Sequence, residues 1–196
     1  MAKKLDQIIV VDLEATCWEG NPPPGQEQEI IEIGVCALDI ATGRRHEKRS
    51  ILVRPERSTV SAFCTKLTTL TQAQVDQGIA FAEAIEILRR EYRLADRTWA
   101  SYGDYDRIQL QRQCDQHGVP YPFGRTHLNI KNLLAISLNL PGEVGLERAV
   151  ELLHLPLEGT HHRGDDDAWN IAAVLAALFE RTRNGGKDYG LRTHGR

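Results

Sequence analysis

The sequence predicts an α/β domain built on a mixed sheet, and two observations carry that prediction. Near the start of the chain, short strand-like runs follow one another with only a loop and a turn between them, as the strands of an antiparallel meander do. Further on, strand-like runs alternate with helical segments, as parallel strands and their crossovers do. A chain of 196 residues, 41% hydrophobic and 26% charged, has the size and composition of one domain with its own core, assigned to residues 1–183.

Ile8-Ile9-Val10-Val11 reads as the first strand, because the run is short, continuous and β-branched. The prolines and glycines of Glu19-Gly20-Asn21-Pro22-Pro23-Pro24-Gly25 break regular structure after it. Ile30 to Asp39 is the second strand, Ala41-Thr42-Gly43 a turn, and Arg49 to Arg54 the third strand, completing an antiparallel meander. From Leu67 to Arg93 the pattern is helical, with Ala84, Ile85 and Leu88 on one face. Thr98 to Tyr102 is a short strand ahead of a helix from Asp106 to His117. His127 to Ile130 is a last strand leading into a helix that ends at Leu138, and helices follow over Gly145–His154 and Asp166–Arg183. Residues 184–196 offer only Tyr189 and Leu191 as anchors and are read as a mobile tail. Its Lys187, Arg192 and Arg196 are read as solvated charges rather than polyanion contacts.

The formal net charge of −3 excludes a broad basic coat, so any nucleic-acid contact has to be local. No apolar stretch reaches the roughly 18 residues that span a bilayer. The opening Met1-Ala2-Lys3-Lys4-Leu5-Asp6-Gln7 lacks a signal-peptide core, and the expected location is cytoplasmic. Cys17, Cys36, Cys64 and Cys114 are too widely spaced for a C-x-x-C pair or a zinc pattern and are read as reduced thiols.

The chemistry begins where the first strand ends, at Asp12-Leu13-Glu14. Residues i and i+2 of a strand share a face, so the two carboxylates project together. Like charges side by side on a buried strand are costly unless a cation neutralises them, and a hard divalent metal on oxygen ligands is the usual solution. A second motif, Trp99-Ala100-Ser101-Tyr102-Gly103-Asp104-Tyr105-Asp106, puts an acid at the start of a helix. Capping by itself explains either Asp104 or Asp106. The third, His161-His162-Arg163-Gly164-Asp165-Asp166-Asp167, opens the last long helix. Asp165 and Asp166 suit the positive end of the helix dipole. Asp167 lies one turn before Ile171 on the inward stripe and needs a partner, which a metal shared with Asp12 would provide. The histidine five residues before it, on a glycine-containing loop, is placed to act as a general base.

In order and character the three motifs resemble those of the DEDDh 3′–5′ exonucleases of the RNase H-like fold, with Asp-x-Glu, a later Asp and His-x-x-x-x-Asp. The resemblance assigns Asp12 and Glu14 to the first motif, Asp106, which follows an aromatic, to the second, and His162 with Asp167 to the third. Asp12-Leu13-Glu14-Ala15-Thr16-Cys17-Trp18, Glu29-Ile30-Ile31-Glu32-Ile33-Gly34, Phe63-Cys64-Thr65-Lys66-Leu67-Thr68 and Asn129-Ile130-Lys131 are similar to the Eri-type branch. That branch includes the histone-mRNA 3′ exonucleases and bacterial KapD-like proteins. The likeness runs from about Ile8 to Arg183.

The resemblance implies an RNase H-like five-stranded mixed sheet flanked by helices. It also implies a metal-dependent 3′–5′ exonuclease that releases nucleoside 5′-monophosphates. The four carboxylates would hold two Mg²⁺ or Mn²⁺ ions about 4 Å apart, with Asp12 bridging and His162 taking a proton from water. The terminal nucleotide would lie across the backbone of Glu14, Ala15, Thr16 and Cys17. Trp18, Phe63, Leu67 and Tyr105 are candidate base contacts, Thr68 a sugar contact and Lys131 a phosphate contact. Single-stranded 3′ ends are the expected partner, RNA preferred, because that branch mostly trims RNA. The rivals are a DNA proofreading or repair exonuclease, a catalytically silent binding module and a structural metal site.

Overall fold

The computed structural model describes residues 4–185, so the tail proposed over 184–196 lies outside the described residues from residue 186 onward. Five strands, β1 (Lys4–Ala15), β2 (Ile30–Asp39), β3 (Arg45–Leu52), β4 (Arg97–Ser101) and β5 (His127–Asn129), form one sheet in the order β3-β2-β1-β4-β5. β2 pairs antiparallel with β1 and with β3, whereas β4 lies parallel to β1 and β5 parallel to β4. The meander followed by parallel strands is the predicted mixed sheet.

β1 is the middle strand and both of its faces are covered, which is why its sequence is continuously apolar rather than alternating. Ile9, Val11 and Leu13 point into one core, where they meet Ile85 and Leu88 of α3 (Phe81–Tyr92) and Leu110 and Cys114 of α4 (Tyr105–His117). Ile8 and Val10 point into the other. There they meet Ile130 and Leu134 of α5 (Ile130–Ser137), Ala149 and Val150 of α6 (Leu146–Leu152), and Ile171, Ala172 and Leu175 of α7 (Gly164–Gly185). Asp12 and Glu14 continue the Ile8–Val10 row, so the strand's own alternation delivers them to the α7 side.

The structure departs most from the sequence reading in β3 and in the helical stretch after it. β3 starts at Arg45 rather than Arg49 and ends at Leu52 rather than Arg54, since its mixed polar and charged sequence gives no clean alternation. The helical stretch from Leu67 to Arg93 starts earlier and is broken into α1 (Ala62–Thr68), α2 (Gln72–Val75) and α3. Thr69 ends α1 in the left-handed region at φ 65°, and Thr71 opens α2 with a reciprocal capping box to Gln74. Between α2 and α3 the chain turns over residues 76–78, and Val53 and Ile79 then form a parallel bridge. Gly78 permits that approach, because a Cβ there would lie 2.8 Å from the backbone carbon of Leu52.

Candidate active site

Asp12 faces Gly34 across the β1–β2 ladder, and Glu14 faces Glu32. Two acids directly opposite each other repel, and Glu32, fully buried, is neutralised separately. Arg163 grips it with two bonds, Nη2 to Oε1 at 2.9 Å and Nε to Oε2 at 3.2 Å, and the Gly164 amide donates to Oε2 at 2.8 Å. This clamp fixes the start of α7 on β2. Gly34 completes the seat, because α7 begins in the space a side chain would take. Asp167, one turn into α7, is thereby set against Asp12 and Glu14.

Asp106 arrives from the other side of the sheet. The pairing of β1 with β4 ends at Val10 and Ala100, which leaves the Leu13 amide beyond that ladder, and it donates to Asp106 Oδ1 at 3.0 Å. Asp104 is exposed and pairs with Arg107 at 3.1 Å, so the second motif's inward acid is Asp106.

The carboxylate oxygens of Asp12, Glu14 and Asp167 lie within 4.8 Å of one another, and with Asp106 they line a cavity of about 430 Å³. Burial, and after it the charges of Asp106, Glu14, Asp167 and Glu32, hold the Asp12 carboxyl well above the ordinary range. Glu14 is pushed up to about 9 by burial and then by Asp167, Glu32 and Asp106. Asp106 rises to about 7, mainly through burial, against the lowering effect of the Leu13 amide. Arg163, the guanidinium that acts on Glu14, is engaged by Glu32. A crowded set of oxygen donors without its own counter-charge fits a hard divalent cation.

Both histidines of the third motif line the cavity, and their rings stack at 4.0 Å. His161 Nδ1 lies 3.0 Å from both Asp167 oxygens, and this hydrogen bond raises its pKa. His162 donates its backbone N–H to Asp167 Oδ2 at 2.8 Å. Burial, then the neighbouring His161, lowers the pKa of its imidazole. Its backbone is left-handed at φ 64°, a strained state for a residue with a side chain and one that recurs at functional sites.

Among the predicted substrate contacts, Ala15, Cys17, Leu67 and Tyr105 line the cavity. α1 brings Leu67 there because Ser61 Oγ, at its start, donates to the Cys17 carbonyl at 2.6 Å. Cys17 is no nucleophile, since burial and the adjacent Cys64 push its thiol up to about 12. One expectation is corrected. The Thr68 hydroxyl donates to the Cys64 carbonyl at 2.9 Å and accepts from the Leu70 amide at 3.1 Å, and its full burial puts it out of a sugar's reach. The Thr16 side chain is also buried, bonding the Glu27 carbonyl and the Glu29 amide, and the contact expected of Thr16 is its backbone's. Trp18, Phe63 and Lys131 do not line the cavity. Phe63 is exposed one turn before Leu67, and Lys131 pairs with Glu143 at 3.4 Å.

Gln28, Tyr102, Leu146 and His161 also line the cavity without having been singled out as site residues. The roles of Glu32, Gly34 and Arg163 were equally unassigned, although the acid and the glycine interrupting the apolar run of β2 were a visible signal.

A model of the family described as Exonuclease matches residues 9–175. The chain belongs to the exonuclease family. It is 32% identical over 190 residues to 3′-5′ exoribonuclease 1 of Homo sapiens, covering 89% of this chain and 53% of that protein. It is 30% identical over 205 residues to 3′-5′ exonuclease Snipper of Drosophila melanogaster, covering 90% and 73%. The chain thus spans about half the length of the first of these relatives. Among solved structures, the nuclease domain of 3′hExo, a DEDDh family member bound to rAMP, superposes with a TM-score of 0.82 at 30% identity, covering 94% of this chain and 96% of that one. The family's RNase H-like fold is the one observed here. Among the described residues no helix is long and apolar enough to cross a membrane.

Proposed function

We propose that the protein is a divalent-metal-dependent 3′–5′ exonuclease that removes nucleoside 5′-monophosphates from single-stranded RNA ends. The observation that carries this reading is the convergence of Asp12, Glu14, Asp106, Asp167 and His162, from β1, α4 and the start of α7, on one open cavity. A silent binding module has no need to keep so costly a cluster of buried acids. A closed structural metal cage does not fit a site with an accessible imidazole at its rim.

Asp12, Glu14 and Asp167 would hold one Mg²⁺ or Mn²⁺, and Asp12 with Asp106 a second. Such ions lower the pKa of an attacking water and stabilise the leaving 3′ oxygen. The chain's own residues do the rest. His162, its pKa lowered, is neutral near pH 7 and accepts the proton of the attacking water. His161 and the His162 amide hold the Asp167 carboxylate in orientation. Leu67 and Tyr105 form the apolar wall against which the terminal base packs, and the backbone from Glu14 to Cys17 lies beneath the sugar. The preference for RNA is supported by the exoribonuclease relative and by the rAMP-bound nuclease domain. Four unpaired cysteines accord with a reducing, cytoplasmic setting.

The test is hydrolysis of matched 5′-labelled single-stranded RNA and DNA with Mg²⁺ or Mn²⁺, beside the Asp12→Ala variant. A 3′-shortening ladder on RNA that the substitution abolishes supports the proposal. Equal trimming of DNA moves the assignment to a repair-type exonuclease, and binding without cleavage to a silent module.

A further inference from the structure

The outward face of α4 walls a second cavity of about 550 Å³, distinct from the carboxylate site. Three guanidiniums line it, Arg107, Arg112 and Arg125, against the single carboxylate of Asp115. Arg107 is paired with Asp104. Among the described residues Arg112 bonds neutral acceptors, the Gln28 carbonyl at 2.9 Å and the Gln109 side chain. Arg125 has no ion pair or hydrogen bond among the described residues. In a chain of net charge −3, this is a local concentration of positive charge of the kind phosphates seek.

The cavity also holds two unspent polar groups. Trp99 Nε1 and Tyr121 Oη are buried without a hydrogen-bond partner, and both residues line it. Trp99 is itself only 1% exposed. Such orphans are rare in folded proteins. Ile108, 59% exposed, adds an apolar surface at the same cavity.

The two cavities are neighbours. Arg112 lines this one and bonds the carbonyl of Gln28, which lines the carboxylate cavity. Along α4, Arg112 stands six residues beyond Asp106, about 9 Å at the helical rise, within reach of a few nucleotides of extended strand.

We propose that this cavity is an accessory subsite for a nucleotide of the substrate strand upstream of its 3′ end. Its phosphate would lie on Arg112 and Arg125, and its base against Ile108. The inference rests on the exonuclease reading and gives a chain without a general basic coat a local grip on RNA.

The experiment compares wild type with Arg125→Glu, an exposed position whose change leaves the core intact. It uses a ribodinucleotide and a single-stranded RNA of about ten nucleotides, a length within the usual single-strand site sizes. For wild type, KM should fall with length. For the variant, KM on the longer RNA should rise about tenfold with kcat unchanged, and the dinucleotide kinetics should stay put. The slope of log affinity against log salt should also shrink by roughly 0.7, as for one lost phosphate contact. An unchanged length dependence in Arg125→Glu overturns the proposal. So does saturable binding of added nucleoside 5′-monophosphate at this cavity that leaves KM for long RNA unaltered, since the site would then serve free nucleotide. If wild type trims nothing, the exonuclease reading fails on its own. Fluorescence anisotropy of the same RNA then decides the subsite, which stands if Arg125→Glu weakens binding several-fold and falls if it does not.

Discussion

Replacing Gly34 by alanine tests how the active site is held. The added methyl would lie 1.8 Å from the Gly164 carbonyl carbon and 2.3 Å from the Asp165 nitrogen, both backbone atoms that no rotamer change can move. Carbon atoms rest about 3.5–4.0 Å apart, so the start of α7 must retreat by roughly 1.5–2 Å. Overpacking of this kind costs about 1–3 kcal/mol. Loosening the Gly164 amide from buried Glu32 adds about 1 kcal/mol or more. A loss of about 3 kcal/mol, or roughly 6–12 °C in Tm for a chain of this size, is expected in urea or thermal unfolding. Activity should suffer more than folding, because Asp167 moves with α7 and a 1 Å misplacement costs on the order of 10²-fold. Gly142→Ala, where nothing lies within 4 Å of the new methyl, is the matched control and should stay within about 0.5 kcal/mol of wild type. If Gly34→Ala unfolds at the wild-type midpoint and trims RNA at the wild-type rate, the reasoning about the α7 seat is wrong.

Three further outcomes follow from the same geometry. Glu14 has its carboxyl pushed from 4.5 to about 9 and Asp12 is also raised. The metal-free protein is therefore favoured while these groups are protonated, and should lose stability as pH climbs from about 4.5 towards 9. The slope is at most about 1.4 kcal/mol per pH unit for each group. Asp12→Asn should flatten that loss in EDTA, and Mg²⁺ at 100 times its Kd should stabilise wild type by about 2.7 kcal/mol; both are read by thermal shift across a pH series. Glu32→Gln leaves the Arg163 guanidinium without its carboxylate and should cost about 3–5 kcal/mol in urea unfolding. His162→Asn, which tolerates the left-handed backbone at φ 64°, should lower kcat by about 10²–10⁴-fold. It should leave KM and the thermal shift with Mg²⁺ unaltered, as single-turnover and binding measurements would show.

The three motifs, five strands and mixed sheet were legible in the sequence because each is written locally. A β-branched run specifies β1, the span Ile30–Asp39 is β2 to the residue, and period-two alternation puts Asp12 and Glu14 on one face. The choice of Asp106 over Asp104 was legible only through the resemblance, and the structure gives its physical content in the bond from Leu13. The break of Leu67–Arg93 into three helices was half-written, in the Thr71–Gln74 capping box. The bridge at Ile79 was not, because it depends on pairing with Val53.

By itself, then, the sequence set down the three acidic motifs and their order, since motif identity and spacing are properties of the chain. The tertiary structure alone decided which neighbours serve them. Thr68 and Leu67 are adjacent in sequence, yet one hydroxyl is spent inside α1 and the other side chain lines the cavity. Arg163 meets Glu32 across 131 residues, and Arg112 meets Gln28 across 84. No local period encodes such meetings, because they exist only once both faces of the sheet have been covered and α7 has come to rest on Gly34.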